Sequence, residues 1–280
     1  MLSARPDINE IIGVLKSLKC HKSSNDAPAE FFKYAQVPKS WGHSKIVTLW
    51  KGSAKGSVKK PDTYRALQVG SSLCKIMVII ILNRLKPWYD CQLFDQQQGF
   101  RSGCGTADGI YVTKRVHQIT DRMKKPVYVL FVDLSAAFDH VVRKWLFMLI
   151  YQRLPRNADP ILIQLFEALY SYTTTALAEA LDDIFEFIAD VRQGGPESSP
   201  LYNLLIDYVM RVFTALCKEH NIKFLRLRFR VRNTACPRAA RGERQDRGEH
   251  EADWSGYADD LELFFEDSAD LQKALELLDE

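Results

Sequence analysis

Three aspartates lie in apolar surroundings, where a charged side chain is costly. Asp259 and Asp260 are adjacent in the aromatic stretch SGYADDLELFF, residues 255–265, and Asp133 lies near the end of the apolar run YVLFVDL. An unpaired buried charge costs several kcal/mol, so these carboxylates need a group that neutralises them. Only the fold can bring Asp133 to the other two, and antiparallel neighbours in one sheet would do so.

A divalent cation is the chemically sensible neutralising group. Converging carboxylates repel, and one of them takes up a proton unless a cation lies between them. Mg²⁺ binds one or two carboxylates and fills its other sites with water and phosphate oxygens. The alternative is that each aspartate is a turn or capping residue, where Asp is common. The residues alone leave both interpretations open.

The apolar pattern predicts the elements that would position these aspartates. PVYVLFVDL, residues 126–134, is the clearest candidate for a buried strand, and WSGYADDLELFF, residues 254–265, predicts two short apolar segments joined at a tight place. Two further strands are expected at residues 44–50 and 183–191. Helical spacing marks residues 7–20, 71–85, 110–123, 140–154, 160–174, 201–217 and 268–280. We expect Ser71 or Ser72 to cap the second of these helices and Ser268 the last. Strands separated by helices of varied length indicate the α+β class.

Size and composition exclude several classes of protein. The 280 residues are 46% hydrophobic, which suits one large or two modest domains. The longest apolar run, Ile76–Leu82, is far shorter than the about 20 residues of a membrane span, and the N-terminus lacks the plan of a signal peptide. We therefore expect an intracellular protein of the cytoplasm or nucleus, with no membrane partner. The six cysteines form no Cys-x-x-Cys pair, which argues against structural zinc.

The charge distribution is uneven although the net charge is only +3. Residues 51–60 and 224–247 are basic blocks, and the tail from Glu249 onward is acidic. Basic stripes of this kind fit a polyanionic partner, but solvated loops would look the same.

Three blocks follow one another along the chain, YVLFVDLSAAFDHV, RQGGPESSPLYNLLIDYVM and GYADDLELF. In this order they resemble the signatures of reverse transcriptases, and most of all those of non-LTR retrotransposons. Upstream, WGHSKIVTLWKG, DTYRALQV and DQQQGFRSGCGTADGI resemble finger-region blocks of the same family. The resemblance runs from about Asp7 to the last residue.

The resemblance implies a right-hand polymerase fold of the α+β class. Fingers would occupy residues 1–120, and residues 121–280 would form a palm that is incomplete at its C-terminal end, with its antiparallel sheet packed on helices and a basic loop near 228–252. The thumb would be absent. The implied activity is RNA-directed DNA polymerisation, which transfers dNTPs to the 3′-hydroxyl of a DNA primer on an RNA template.

The resemblance also implies which residues act. Asp133, Asp259 and Asp260 would be catalytic and would bind two Mg²⁺ ions that bridge them to the nucleotide and primer. Substrate contacts are implied for Phe138, Gln193, Gly194, Lys51, Arg65 and Tyr257. Phe138 would be the steric gate, because a ring packed under the sugar leaves no room for a 2′-hydroxyl. Phe138 as a core aromatic, and Lys51 in a merely solvated loop, remain the alternatives.

The chain departs from the family pattern at several places. Ala66 stands where the family has proline after Tyr-Arg, and Ser199 where proline is more common. A helical segment between two finger blocks is missing, and the chain stops at Glu280. The missing thumb and the basic stretch at residues 224–247 make an inactive nucleic-acid-binding remnant of a retroelement the alternative to an active polymerase. An RNA-dependent RNA polymerase is disfavoured by Phe138.

Overall fold

The structure is a computed structural model that describes residues 9–10, 14, 37–38, 41–53, 56–134, 137–153, 161–171, 174–177, 180–186, 191–225, 228–229, 250–251 and 253–279. The chain divides into two compact units, Met1–Cys91 with Phe138–Leu201 and Gln92–Ala137 with Tyr202–Glu280. The predicted helix at residues 7–20 and the basic loop at 228–252 lie almost entirely outside the described residues. The division into fingers at 1–120 and palm at 121–280 stays a prediction.

Helices and antiparallel strands together confirm the predicted α+β class. In chain order the elements are β1 (His43–Trp50), β2 (Tyr64–Val69), α1 (Ser72–Tyr89), α2 (Thr106–Met123), β3 (Tyr128–Asp133), α3 (Arg143–Arg153), α4 (Ile161–Ser171), β4 (Thr174–Leu177), β5 (Ala180–Glu186), α5 (Ser198–Glu219), β6 (Arg228–Phe229), β7 (His250–Glu251), β8 (Trp254–Tyr257), β9 (Asp260–Phe265) and α6 (Ser268–Asp279).

The first unit contains a four-stranded sheet in the order β2-β1-β4-β5. Strands β1 and β2 form an antiparallel pair, and β4 runs parallel to β1 on its other side. Helix α1 begins as predicted, because the Ser71 hydroxyl oxygen accepts a hydrogen bond from the backbone N–H of Cys74. Its apolar residues Met77, Ile80 and Ile81 are buried. No helix in the described part of the chain is long and apolar enough to cross a membrane.

The second unit contains the three-stranded antiparallel sheet β3-β9-β8. Helix α2 packs through Val116 against a buried cluster with Phe264 of β9 and Leu225. Helix α6 packs against β3 and β9. Burial of these apolar faces fixes the sheet on which Asp133, Asp259 and Asp260 are carried.

Two local expectations were wrong. The strand at residues 126–134 is not buried: within the described residues β3 pairs only with β9, and its Phe131 is 68% exposed. Helix α6 is capped by Asp267 and not by Ser268, because the Asp267 carboxylate accepts from the N–H of Ala269. Apolar composition does not distinguish a central strand from an edge strand, and two adjacent capping residues compete for one position.

Candidate active site

The β8–β9 hairpin carries the aspartate pair in a two-residue turn. Tyr257 of β8 pairs with Asp260 of β9, so Ala258 and Asp259 form the turn between them. Turns of this length require positive φ angles, and Ala258 has φ of +61°. An L-residue other than glycine loses about 1 kcal/mol or more in that conformation. The turn is therefore held by contacts from elsewhere.

The strand register brings Asp133 to the hairpin. Asp133, the last residue of β3, lies directly opposite Asp260, the first residue of β9. Residues opposite one another in an antiparallel pair project from the same face, with Cβ atoms about 5 Å apart. Because Tyr257 is the partner of Asp260 on the other side, the three residues form one row across the sheet. Asp259 precedes this row in the turn.

The three carboxylates near the turn differ in exposure. Asp133 and Asp260 are exposed, whereas Asp259 is half-buried. The negative charge of Asp259 reaches Tyr202 of α5: burial raises the pKa of the Tyr202 hydroxyl, and the Asp259 charge raises it further. Two exposed carboxylates that face each other favour binding of a cation.

The donor set of this row fits a hard divalent cation that shares its coordination with a substrate. Within the described residues no group of three or more His, Cys, Asp or Glu side chains is arranged to hold a metal ion by itself. Mg²⁺ does not need such a cage, since one or two carboxylates suffice when water and phosphate oxygens complete the shell. Asp133 and Asp260 could supply those two carboxylates. The metal-binding role of all three aspartates stays a prediction.

A buried glutamine that the sequence interpretation missed contacts the turn directly. The side-chain oxygen of Gln97 accepts hydrogen bonds from the N–H groups of Ala258, at 2.9 Å, and of Gly99, at 3.0 Å. Its side-chain nitrogen donates to the carbonyl oxygen of Ala258 at 3.1 Å. Gln97 is fully buried and Ala258 is 3% exposed. The sequence shows a run of three glutamines, which gives no indication of which one reaches the turn.

The loop that carries Gln97 lies along strand β8. The N–H of Gln98 donates to the carbonyl of Gly256 at 2.8 Å, and the N–H of Gly256 donates to that of Gln96 at 3.0 Å. A Cβ atom on Gly99 would lie 2.3 Å from the backbone nitrogen of Ala258, so no other residue fits there without displacing the turn. The approach of two backbones explains this glycine.

Two buried side chains hold the loop from its other side. The Asn203 amide of α5 donates to the carbonyl of Gly99 at 2.7 Å. The Arg101 guanidinium donates to the carbonyls of Phe94, at 2.8 Å, and Gln97, at 2.9 Å. The exposed ring of Phe100 lies 6.2 Å from that of Tyr257. Loop and hairpin thus form one hydrogen-bonded assembly inside the second unit.

In the first unit the structure brings together three of the predicted substrate contacts. The N–H of Val191 donates to the carbonyl of Phe138 at 3.0 Å, and the Gln193 amide donates to the Asp139 carboxylate at 3.2 Å. Gly194 has φ of +104°, and a Cβ there would lie 3.3 Å from the carbonyl of Gln68. The segments around residues 138 and 193 are therefore neighbours.

A buried polar network anchors the segment that carries Gln193. The Arg192 guanidinium donates to the carbonyl of Leu169 at 2.6 Å and lies over the Tyr170 ring. The Tyr170 hydroxyl donates to the Glu197 carboxylate at 3.3 Å. Burial raises the pKa of Glu197, while the Arg192 charge opposes the shift. Burial, followed by the Glu197 charge, raises the pKa of Tyr170.

Lys51 and Arg65 lie on the β1–β2 hairpin of the first unit. Arg65 is opposite Leu49, and the N–H of Lys51 donates to the carbonyl of Thr63 at 2.8 Å. Both cationic side chains are exposed. Their placement fits a contact with an anion, and the solvated alternative stays open for Lys51.

Comparison with known proteins gives the family. The reverse transcriptase (RNA-dependent DNA polymerase) family matches residues 57–280, which include every candidate site residue except Lys51. A curated relative, "Probable RNA-directed DNA polymerase from transposon BS" of Drosophila melanogaster, is 33% identical over 107 residues, which are 37% of this chain and 12% of the relative.

Two solved structures share the fold. Apo telomerase from Candida tropicalis, truncated from its C-terminal domain, superposes with a TM-score of 0.54 at 14% identity, over 89% of this chain and 50% of that one. Telomerase from Candida albicans, in complex with a TWJ fragment of telomeric RNA, gives a TM-score of 0.50 at 12% identity, over 85% and 39%. This chain spans half or less of each relative's length. The fold agrees with fingers and palm, and the match over residues 57–280 shows that the chain belongs to the reverse transcriptase (RNA-dependent DNA polymerase) family.

Proposed function

We propose that this chain is the RNA-directed DNA polymerase domain of a non-LTR retrotransposon and adds dNTPs to the 3′-hydroxyl of a primer on an RNA template. Membership of the reverse transcriptase family supports the reaction class. The observation that carries the proposal is the row of Asp133, Asp260 and Tyr257 at the end of the three-stranded sheet, with Asp259 in the adjoining turn.

The carboxylates of the second unit are proposed to bind the divalent cations. When bound there, Mg²⁺ would lower the pKa of the primer 3′-hydroxyl and neutralise charge on the leaving pyrophosphate. Asp133 and Asp260 would hold it from opposite strands, and Asp259 would add a ligand from the turn. Phosphoryl transfer needs little beyond positioning and charge neutralisation. The hydrogen-bonded sheet end would supply the positioning, and a cation held by the carboxylates would supply the neutralisation.

The first unit is proposed to contact the nucleotide. The Phe138 ring would exclude a 2′-hydroxyl, and Gln193 and Gly194 would contact the nucleotide and its template base. Gly194 can approach a ligand closely because it has no side chain. Arg65 and Lys51 would neutralise the triphosphate, and the planar guanidinium of Arg65 suits phosphate oxygens. The exposure of both cations supports this assignment.

Primer extension tests the proposal. The assay uses the 280-residue chain, an RNA template with a DNA primer, dNTPs and Mg²⁺. We expect wild-type extension and a loss of about 10²-fold or more in Asp133→Asn, because a neutral amide holds Mg²⁺ more weakly than a carboxylate and several kcal/mol of transition-state stabilisation are lost. The matched control is Glu266→Gln, which removes one carboxylate charge at an exposed position just after β9 and is expected to remain active.

Two results would contradict the proposal. Unchanged extension by Asp133→Asn would refute the catalytic role of that carboxylate. Salt-dependent binding of the primer–template with no incorporation by the wild-type chain is the result expected of an inactive nucleic-acid-binding remnant.

A further inference from the structure

We propose that Gln97 is a positioning residue that fixes the carboxylate turn, an inference that rests on the proposed function. The geometry points to this role because one side-chain amide pairs with both backbone polar groups of Ala258. Gln97 lies 161 residues before the turn, so the contact is purely tertiary. These hydrogen bonds join Gln97 to the backbone of the turn and to none of the carboxylates. Gln97 would therefore affect the carboxylates through the turn backbone.

The backbone N–H and C=O groups of Ala258 need hydrogen-bond partners from the protein itself. The first residue of a two-residue hairpin turn has no cross-strand partner, and its N–H and C=O groups usually face water. Ala258 is 3% exposed, so water does not supply those hydrogen bonds. Buried backbone groups left unpaired are strongly unfavourable, and the primary amide of a glutamine side chain supplies a donor and an acceptor side by side.

The contacts fix the direction of Asp259. The Ala258 N–H belongs to the peptide plane that joins it to Tyr257, and the Ala258 carbonyl belongs to the plane that joins it to Asp259. Holding both planes sets the backbone of Ala258 at its positive φ and thereby the start of Asp259. Gln97 itself is held through its own carbonyl by Arg101, and Gly99 leaves room for the approach.

The matched variants are Gln97→Met and Gln96→Met. Methionine is unbranched and close to glutamine in length, so each variant removes an amide while largely filling its space. The Gln96 amide donates to Asp253, outside the turn, at 2.9 Å, which makes it the control in the same loop. Three quantities are measured: amide hydrogen exchange at Ala258, steady-state primer extension, and primer–template affinity.

We expect Gln97→Met to exchange the Ala258 amide hydrogen at least about tenfold faster than wild type, because the hydrogen bond from this amide to the Gln97 side-chain oxygen is lost. We expect kcat to fall by about 10- to 100-fold with KM for dNTP and the primer–template Kd unchanged, since misplaced reacting groups affect turnover. Gln96→Met should match wild type in all three quantities. A purely structural role would lower stability without this division between kcat and KM.

Several outcomes overturn the proposal. If Gln97→Met exchanges the Ala258 amide hydrogen faster than wild type but keeps the wild-type kcat, the contact has no role in catalysis. Exchange of the Ala258 amide in the wild-type chain as fast as that of an exposed turn amide would refute the contact itself, and this measurement needs no variant to fold. If the wild type shows no primer extension, the proposed function fails, and the exchange comparison decides by itself whether Gln97 fixes the turn.

Discussion

Asp260→Asn should stabilise the protein in the absence of divalent cations and inactivate it in their presence. Asp133 and Asp260 carry like charges at directly opposite positions of β3 and β9. Both side chains are exposed, so the screening of water applies. Two unit charges about 5 Å apart in water repel by roughly 1 kcal/mol. Asparagine has the same shape without the charge, and we expect the free energy of unfolding to rise by about this amount.

The measurement is thermal unfolding in a chelator at low salt, where screening is weakest. A gain of about 1 kcal/mol corresponds to a rise in Tm of about 2–4 °C for a protein of this size. Addition of Mg²⁺ should raise the Tm of the wild type above that of Asp260→Asn. A cation held by two carboxylates stabilises the wild-type fold more than a cation held by one carboxylate stabilises the variant. Glu266→Gln is the control, since an exposed charge without an opposing carboxylate changes stability by at most about 0.5 kcal/mol.

The reasoning is refuted if Asp260→Asn unfolds at the same temperature as wild type, or lower, in the chelator. That result would mean that the two carboxylates do not repel across the strands. Equal stabilisation of wild type and variant by Mg²⁺ would also contradict it, because the cation would then bind elsewhere.

Three other predictions follow from single residues. Gly99→Ala should lower the free energy of unfolding by about 1–3 kcal/mol and reduce kcat, because its Cβ would lie 2.3 Å from the backbone nitrogen of Ala258. Unfolding and primer extension measure both effects, and Gly70→Ala is the control because its Cβ would meet nothing within 4 Å. Phe138→Ala should raise the kcat/KM for rNTPs relative to dNTPs, and an unchanged ratio would favour the core-aromatic alternative. Burial raises the pKa of Glu197 above its ordinary value of 4.5. The free energy of unfolding of the wild type should therefore fall as the pH rises from 4.5 through the pKa of the folded state. Glu197→Gln has no carboxyl group at this position, and its free energy of unfolding should not fall over the same pH range.

The sequence predicted the hairpin well because its signals are local. Apolar residues flank the turn in WSGYADDLELFF, and a two-residue turn at Ala258–Asp259 makes Tyr257 and Asp260 partners. The capping of α1 by Ser71 was predictable for the same reason, since the hydroxyl acts on the next turn of its own helix. The placement of Asp133 opposite Asp260 needed the assumption of antiparallel neighbours, which the β3–β9 register confirms.

The features that the sequence did not predict depend on tertiary contacts. Gln96, Gln97 and Gln98 are identical in type, and only the line of the loop along β8 decides that the middle one meets Ala258. The exposure of Phe131 depends on what packs against its face of the sheet, a property that composition does not encode. Neither the contact of Gln97 with Ala258 nor the exposure of Phe131 leaves a periodic pattern in the sequence.

The unfavourable backbone conformation of Ala258 is stabilised by residues that are far from it in the sequence. Glycine would adopt the positive φ at position 258 without strain, yet the position is alanine. An alanine here restricts the turn to fewer conformations, but it requires outside contacts to hold the unfavourable one. Gln97 supplies those hydrogen bonds, and Gly99 supplies the space, so the glycine lies in the facing loop and not in the turn. The direction of the Asp259 carboxylate is therefore a joint property of the loop at residues 96–99 and the hairpin at residues 254–265.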